Sequence, residues 1–537
     1  MGARRFGRIE LDPAWNPAVL DTLTWDVPSA LGAVLSAGSA FWESAAGALL
    51  SGAAAPRSET VTLFGSSVAR AGTALYALTE LSDGQHVIVR FGPPAPGEGF
   101  EGLIGEADAG GRGRAAVYCA DSGTLHAVYA AAAPARLPSA LGAVPRLGIG
   151  TRMSRLCFPG IWAAVRRGGF AANAIQNSRR ELNLLGNVLG AEPSRPLYYP
   201  GFGFVEEGHT GSTFEGLWVC GVAESLKYGN GAAYGADADH IMVKRGAGGM
   251  EAARRVVEAA RFYSFYTIDV SDLLDYGALR TPAGPAGKYG SALEAVEELS
   301  RHIAAVRGGE PFDLELSVDE HPPGIPASDC ITGDGELRFL LSEAVRRGIP
   351  LTHVAPNVGV EKLLDYRLPD GLEGLAGRVR RQAAVARGFG VILDIHSGDD
   401  LSPATRRALG AASAGRLHFK VSPALQVLLG ETVRECEPGF FGEWWADALR
   451  TAEDGAARGS QLAASCLASQ GALRTPDPRS ALFQAYCFAA VGRRDEGGAY
   501  RLRERFYSLS PECRGLYDRK VEEWLCRLAG DLFDPGL

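Results

Sequence analysis

The chain has 537 residues, 46% of them hydrophobic, and a formal net charge of -8. That length exceeds one hydrophobic core, so two or three domains are expected, with enough apolar residues to fill them. The acidic balance excludes the basic surface that a nucleic-acid backbone needs, and nine cysteines without a CxxC pair suggest buried reduced thiols in a cytoplasmic protein instead of a disulfide framework or a thiolate zinc site. The opening MGARRFGRIELDPAW has no apolar core behind its arginines and does not read as a signal peptide. Ala-rich runs at 29–55 and 127–133 are too interrupted or too short to span a bilayer, so no membrane partner is expected. Residues 1–140 read as an N-terminal α/β domain, with strand-like runs at 61–68, 75–81, 86–90, 115–120 and 125–129 and turn signals such as Ser82-Asp83-Gly84 between them. Its glycine-rich stretches at 97–99 and 110–113 read as connectors. A Pro-containing stretch at 134–145 leads into the next unit.

Residues 141–430 alternate short apolar runs ending in polar residues with helix-like segments. The runs lie at 147–152 (LGIGTR), 171–178 (AANAIQNS), 235–243 (GADADHIMV), 265–271 (FYTIDVS), 314–320 (LELSVDE), 352–357 (THVAPN), 390–400 (GVILDIHSGDD) and 417–422 (LHFKVS). Eight strands alternating with helices predict a (β/α)8 TIM barrel. The seventh run is the most telling. Asp394 and His396 interrupt its apolar residues two positions apart, so they share one strand face, and a charge in such a strand must be paired or coordinated.

After Ser178 a helical segment at 179–189 precedes an irregular insertion at 192–213, which contains Tyr198, Tyr199, Glu206, Glu207 and His209. An insertion on a βα connection falls on the functional rim, as a substrate-contacting loop or as a surface excursion. Gly229, Gly231 and Gly235 precede a strand instead of following one, and no GK[ST] follows, which excludes a nucleotide loop. Beyond residue 430 the spacing turns helical, at 440–456, 459–469, 479–491 and 500–532, with Trp444, Trp445 and Trp524 as packing residues. Residues 431–537 thus read as a helical C-terminal extension that covers the barrel.

Active sites in this fold sit where the strands finish, and there the chain carries Asp237, Asp239, His240, Asp269, Glu315, Ser317, Asp319, Glu320, Asn357, Asp394, His396, His418 and Lys420. Each of the strand histidines His240, His353, His396 and His418 alone reads as a core histidine. Together with Glu315 they read as an N/O site that holds a divalent metal with positions open for substrate.

These residues carry a resemblance. Asp237-Ala238-Asp239-His240-Ile241, Phe265-Tyr266-Thr267-Ile268-Asp269-Val270, Glu315-Leu316-Ser317-Val318-Asp319-Glu320, Ala355-Pro356, His396-Ser397-Gly398 and Leu417-His418-Phe419-Lys420 follow the order and character of the tagaturonate epimerase family, across 147–422. The resemblance implies a metal-dependent barrel enzyme that interconverts tagaturonate and fructuronate. Ser178, Arg180 and Glu181 fit the family's Ser-x-Arg-Glu run, but Leu182 stands where a histidine is expected. Thr151 replaces the aspartate of a Gly-Asp-Arg run, Asn357 replaces a basic residue, and Asp399-Asp400-Leu401 lacks a lysine. Asparagine cannot replace a point charge on a substrate carboxylate.

In these ketouronates the inverting carbon is β to the ketone, so its hydrogen is not acidified by that carbonyl. A retro-aldol cleavage followed by re-addition answers that problem. The implied roles are His240, Glu315 and His396 as ligands of zinc, manganese, nickel or iron, and Glu181 and Asp319 as acid and base. Arg152, Asn177, Arg180, Asn357 and Lys420 are the expected substrate contacts, and Asp239 and Asp269 are either orienting groups or salt-bridge partners. The expected partner is a small sugar acid. Isomerisation or aldol cleavage of a related sugar acid, and sugar binding without turnover, remain the alternatives. The sequence leaves oligomeric state open.

Overall fold

The chain's computed structural model describes residues 2–94, 99–177, 184–192, 196–199, 203–206, 212–229, 231–320, 325–361, 364–471, 474–492 and 502–533. Its centre is a closed barrel of eight parallel strands, Arg146–Gly150, Ala171–Gln176, Gly235–Met242, Phe265–Asp269, Asp313–Ser317, His353–Ala355, Ile392–Ile395 and Leu417–Val421. The first strand closes the ring by pairing with both the second and the eighth, Ala171 opposite Arg146 and His418 opposite the same residue. All eight runs expected from the sequence are barrel strands. Their outward residues pack against the surrounding helices, so they read as near-continuous apolar runs, as buried parallel strands do.

The N-terminal sheet runs in the order Val61–Leu63, Ala74–Leu81, His86–Phe91, Arg114–Cys119, Leu103–Asp108, with Ala69–Ala71 added beside the second strand. Its two faces serve two different cores. Tyr76, Leu78, Ile88, Ala116 and Tyr118 join the core that continues into the barrel. The alternate residues Leu75, Ala77, Val87, Val89 and Val117 pack with Ala30 and Val34 of the overlying helix Val27–Ser36 and with Trp42 and Ala45 of Ser39–Ser51. Because both faces are covered, this sheet is welded to the barrel along one of them. Neither helix alone is long and apolar enough to cross a membrane; as a bent pair they meet that measure by length and composition, and Trp42 and Ala45 bury them on the sheet.

Three expectations are corrected. Residues 125–129 belong to a helix, Ser122–Ala132, because Asp121 caps it by accepting from the Thr124 N–H, and Leu125, Val128 and Tyr129 are spaced for one helical face. The 479–491 segment is two short helices, Ala481–Tyr486 and Ala489–Gly492, and the 500–532 segment divides into Arg503–Tyr507 and Pro511–Phe533, with Pro511 at the start of the second. Within the insertion, Pro196–Tyr199 pairs antiparallel with Gly203–Glu206 where irregular chain was expected, while Glu207 and His209 lie outside the described residues.

The C-terminal helix lies directly on the barrel. A Cβ on Gly160 of helix Ser154–Gly168 would sit 2.7 Å from Val521 Cβ, so only glycine allows this approach. Arg406 pairs with Asp531 at 2.7 Å along the same seam. The nine cysteines are all free thiols.

Candidate functional site

Along each barrel strand every second side chain points inward, and the inward sets stack in layers. At the base, Arg146 holds Asp313 at 2.9 Å with both side chains buried. Above them, the rings of Phe265, His353 and His418 meet edge to face at 4.8 to 5.3 Å and form an aromatic floor. The first strand contributes no side chain here. A Cβ on Gly148 would lie 2.7 Å from Lys420 Cγ and 2.9 Å from His418 Nε2, so the glycine makes room for both.

Over this floor Lys420 forms a hub. Its ammonium lies 2.8 Å from Asp239, 3.1 Å from Glu315, 3.2 Å from Asp237 and 3.5 Å from Asp394, and it donates to Thr267 at 2.6 Å. Against the penalty of burial, those carboxylates hold its pKa well above the usual lysine value. One cation among four carboxylates leaves an excess of acid. The excess shows in the protonation pattern: burial pushes Asp237 up to about 7 and Glu315 well above the usual range, the latter helped by Asp394. Asp394 is held well below its usual value despite burial, by His418 at 2.8 Å and by Lys420.

His396 ends the seventh strand with Nε2 2.7 Å from Glu315 and Nδ1 3.2 Å from Asp319. Although burial opposes it, Asp319 and Glu315 hold the imidazole's pKa well above normal. Asp319 is itself fixed by the Ser317 hydroxyl, which donates at 2.6 Å, and it is held below the usual range by His396 despite burial. His240 stands beside His396 with ring centroids 4.7 Å apart, and its Nδ1 faces Asp269 at 3.4 Å.

Local backbone geometry explains how neighbours on one strand reach the same mouth. The pairing of the third and fourth strands slips between Ala238 and Ile241, and His240 takes a positive φ of 53°. Such a bulge turns His240 and Asp239 toward one site, a conformation that an L-residue holds only when its surroundings enforce it. Asn177 does the enforcing: its Oδ1 accepts from the Asp239 N–H at 2.9 Å and its Nδ2 donates to the Asp239 carbonyl at 3.1 Å. Ser397, directly after His396, also has a positive φ, of 58°.

The structure brings together His396, Glu315, Asp319 and Lys420 as expected from the sequence. The group whose ligand atoms could hold a metal ion, all within 4.8 Å of one another, is Glu315, Asp394 and His396. This group holds the expected Glu315 and His396 and adds Asp394, whose two-residue spacing from His396 was its signal; His240 lies beside His396 and is not in the group. Asp237 and Thr267 were also missed. Asp237 was noted as a strand-end acid, but nothing in its local sequence shows that Lys420 sits opposite.

Arg152 and Asn357 lie beside this cluster with contacts of their own. The Arg152 guanidinium lies 5.0 Å from the Phe488 ring and donates to the Thr151 carbonyl, so it ties the first strand end to the helical tail. Asn357 is buried, with its Oδ1 accepting from the Gly359 N–H at 2.8 Å in a turn, while its Nδ2 has no hydrogen-bond partner among the described residues. Arg180, Glu181 and Leu182 lie outside the described residues.

No protein-family model matches the chain, and no curated protein does. Solved structures do. Fructuronate-tagaturonate epimerase UxaE from Cohnella laeviribosi, complexed with one glycerol, aligns at a TM-score of 0.64 and 18% identity over 88% of this chain and 96% of that one. The native form of that enzyme gives 0.63 with the same identity and coverage, and its two-glycerol complex gives 0.62 over 92% of this chain and 99% of that one, also at 18% identity. The fold implied by the family resemblance is the fold found, along nearly the whole chain.

Proposed function

We propose that this protein is a divalent-metal-dependent epimerase of sugar acids, of the tagaturonate and fructuronate type, acting by retro-aldol cleavage and re-addition. The observation that carries the proposal is the buried Glu315, Asp394 and His396 set at the strand ends of a barrel that aligns with fructuronate-tagaturonate epimerase over 88% of this chain. The donor set fits a metal. Among the described residues Asp394 Oδ1 is buried without a hydrogen bond, and mixed N/O donors suit zinc, manganese, nickel or iron. Glu315, Asp394 and His396 would hold the ion, with His240 at its edge. A bound ion would act as a Lewis acid on the substrate ketone, worth several kcal/mol.

The chain's own residues supply the remaining work. Asp319, ionised and fixed by Ser317, takes the proton of the inverting hydroxyl as the carbon-carbon bond breaks, and returns it after the aldehyde has turned over. A base so placed contributes about 10²- to 10⁴-fold. The acid role falls to Glu181 of the Ser-x-Arg-Glu run. Lys420 sets its charge beside the oxygen on which negative charge develops. The free amide of Asn357 offers a hydrogen bond to a substrate oxygen, while Asn177 and Arg152 position the third and first strand ends.

Turnover of tagaturonate in deuterated water, followed by NMR, tests the route. The account predicts fructuronate with no solvent deuterium at the inverted carbon, because that hydrogen never leaves. Label at that carbon would establish direct deprotonation instead. A second reading, isomerisation or aldol cleavage of a related sugar, is favoured by one observation: among the described residues the cation at the hub, Lys420, is already shared by four carboxylates.

A further inference from the structure

We propose a second ligand site, for a sugar acid, in a cavity of about 460 Å³ beside the barrel. The cavity lies between the N-terminal segment, helix Ser122–Ala132, helix Phe214–Tyr228 and the end of helix Gly249–Ala259, and Asp21, Glu215, Trp218, Arg255 and Arg261 all line it. None of these residues belongs to the barrel mouth. The volume exceeds that of a monosaccharide and is at the small end of ordinary ligand pockets, about 300 to 1,000 Å³.

Its polar groups are underused. Trp218 is 1% exposed, yet among the described residues its indole N–H has no hydrogen-bond partner, and one Asp21 carboxylate oxygen is likewise buried and unpartnered. A buried donor and a buried acceptor left unmet cost free energy that a ligand able to accept and donate would restore. Glu215 accepts only a long bond, 3.4 Å, from the Leu185 N–H. Burial raises the pKa of both acids, Glu215 to about 7, and the opposing charge of Arg261 only partly offsets it.

This pattern selects the ligand. A hydrocarbon would leave the indole N–H and the carboxylates unmet. An organic cation would face Arg255 and Arg261. A polyhydroxylated acid suits these groups, because its hydroxyls donate to Asp21 and Glu215, one of its oxygens accepts from Trp218, and its carboxylate meets the arginines at the rim, while Glu258, which also lines the cavity, is exposed and faces His302 at 3.5 Å. Arg255 already donates to Asn187 at 3.0 Å, and Arg261 lies over the Phe262 ring at 4.6 Å, so both guanidinium groups are held near the opening.

The test is calorimetric titration of the full-length protein with sodium gluconate, a sugar acid without the ketone that the barrel chemistry needs. It is run on wild type, on His396→Ala to disable the mouth, and on Asp21→Asn, Glu215→Gln and Trp218→Phe. Gluconate should bind wild type and His396→Ala alike with one equivalent, and each cavity variant should weaken it about tenfold without changing tagaturonate turnover. Circular dichroism melting identifies any variant that fails to fold, and Asp21→Asn, on a partly exposed segment, keeps the test available if Trp218→Phe does not fold. No gluconate binding to wild type, or binding that disappears in His396→Ala and persists in folded cavity variants, would overturn the proposal and assign the cavity to water. Turnover is measured separately, so this result is independent of the barrel activity.

Discussion

Two buried histidine–carboxylate contacts invite comparison. In the N-terminal sheet His86 lies 3.4 Å from Glu80, and at the barrel mouth His396 lies 2.7 Å from Glu315. Around the first, Glu80 and Glu224 share Lys227 at 2.8 and 2.9 Å and Arg155 at 3.0 and 3.6 Å, so acids and cations balance. Despite burial, His86, Lys227 and Arg155 hold Glu80 far below its usual pKa, as in a bolt between sheet and barrel. Around the second, Asp237, Asp239, Glu315, Asp394 and Asp319 face two cations, Lys420 and His396, and two of these acids carry raised pKa values. The residue types are the same. What separates a structural bolt from a chemical site is charge balance, and an acid surplus is a demand for a further cation.

The largest expected break of this comparison is in activity. His396→Ala should lose the metal and at least about 10³-fold in turnover, the loss of several kcal/mol of Lewis-acid stabilisation, while remaining folded. His86→Ala should leave turnover within a few-fold and lower only stability. Steady-state kinetics on metal-supplemented variants, with melting curves alongside, check both. Equal losses in the two variants would erase the distinction.

Next in size is the response to losing the cation. Removing one partner of a buried ionic network costs roughly 3 to 5 kcal/mol. Lys420→Met should destabilise by that order in chelator and recover part of it in added manganese, because a divalent ion can offset the freed carboxylates. Lys227→Met should cost less, since Arg155 still faces Glu80, and manganese should not restore it. Urea unfolding with and without manganese measures the difference, and rescue of both variants or of neither would contradict it.

The smallest effect is one the two regions share. Burial, aided by Lys227 in the sheet, lowers the His86 pKa to about 4, and burial likewise lowers His418 to about 4 in the barrel. Both folded values lie below the unfolded value of about 6.5, so the unfolded state takes protons first. These two groups therefore withdraw stability as pH drops from about 6.5 to about 4 and none below that, while Asp237 and Glu315, whose pKa values are raised, return some over the same range. Melting temperature against pH measures the sum, and His86→Gln should remove the His86 share of the loss while keeping the His418 share. A His86→Gln variant whose melting temperature runs parallel to wild type across that window would contradict the His86 assignment.

The barrel was legible because its signal is local and repeated: eight apolar runs, each ending in polar residues, one helix apart. The Asp394 and His396 pair was legible for the same reason, since strand alternation alone puts both on one face. The bulge at Ala238–Ile241 was not, because nothing near His240 announces that Asn177, on another strand, clamps Asp239. The Lys420 hub was equally hidden, as it joins residues up to 183 positions apart that only barrel closure brings together. Helix Ser122–Ala132 was misread because Leu125, Val128 and Tyr129 fit a short strand run as well as a helical face, and only the Asp121 cap decides between them.

Metal stoichiometry tests the central claim most directly. Full-length protein purified without chelator, or reconstituted with manganese and desalted, should carry about one equivalent of divalent ion by elemental analysis, with binding that tightens as pH rises because Glu315 and His396 must release protons. The double variant Glu315→Gln, Asp394→Asn should carry none while remaining folded. A folded wild type that binds no divalent ion at any pH, or a double variant that keeps a full equivalent, would contradict the account.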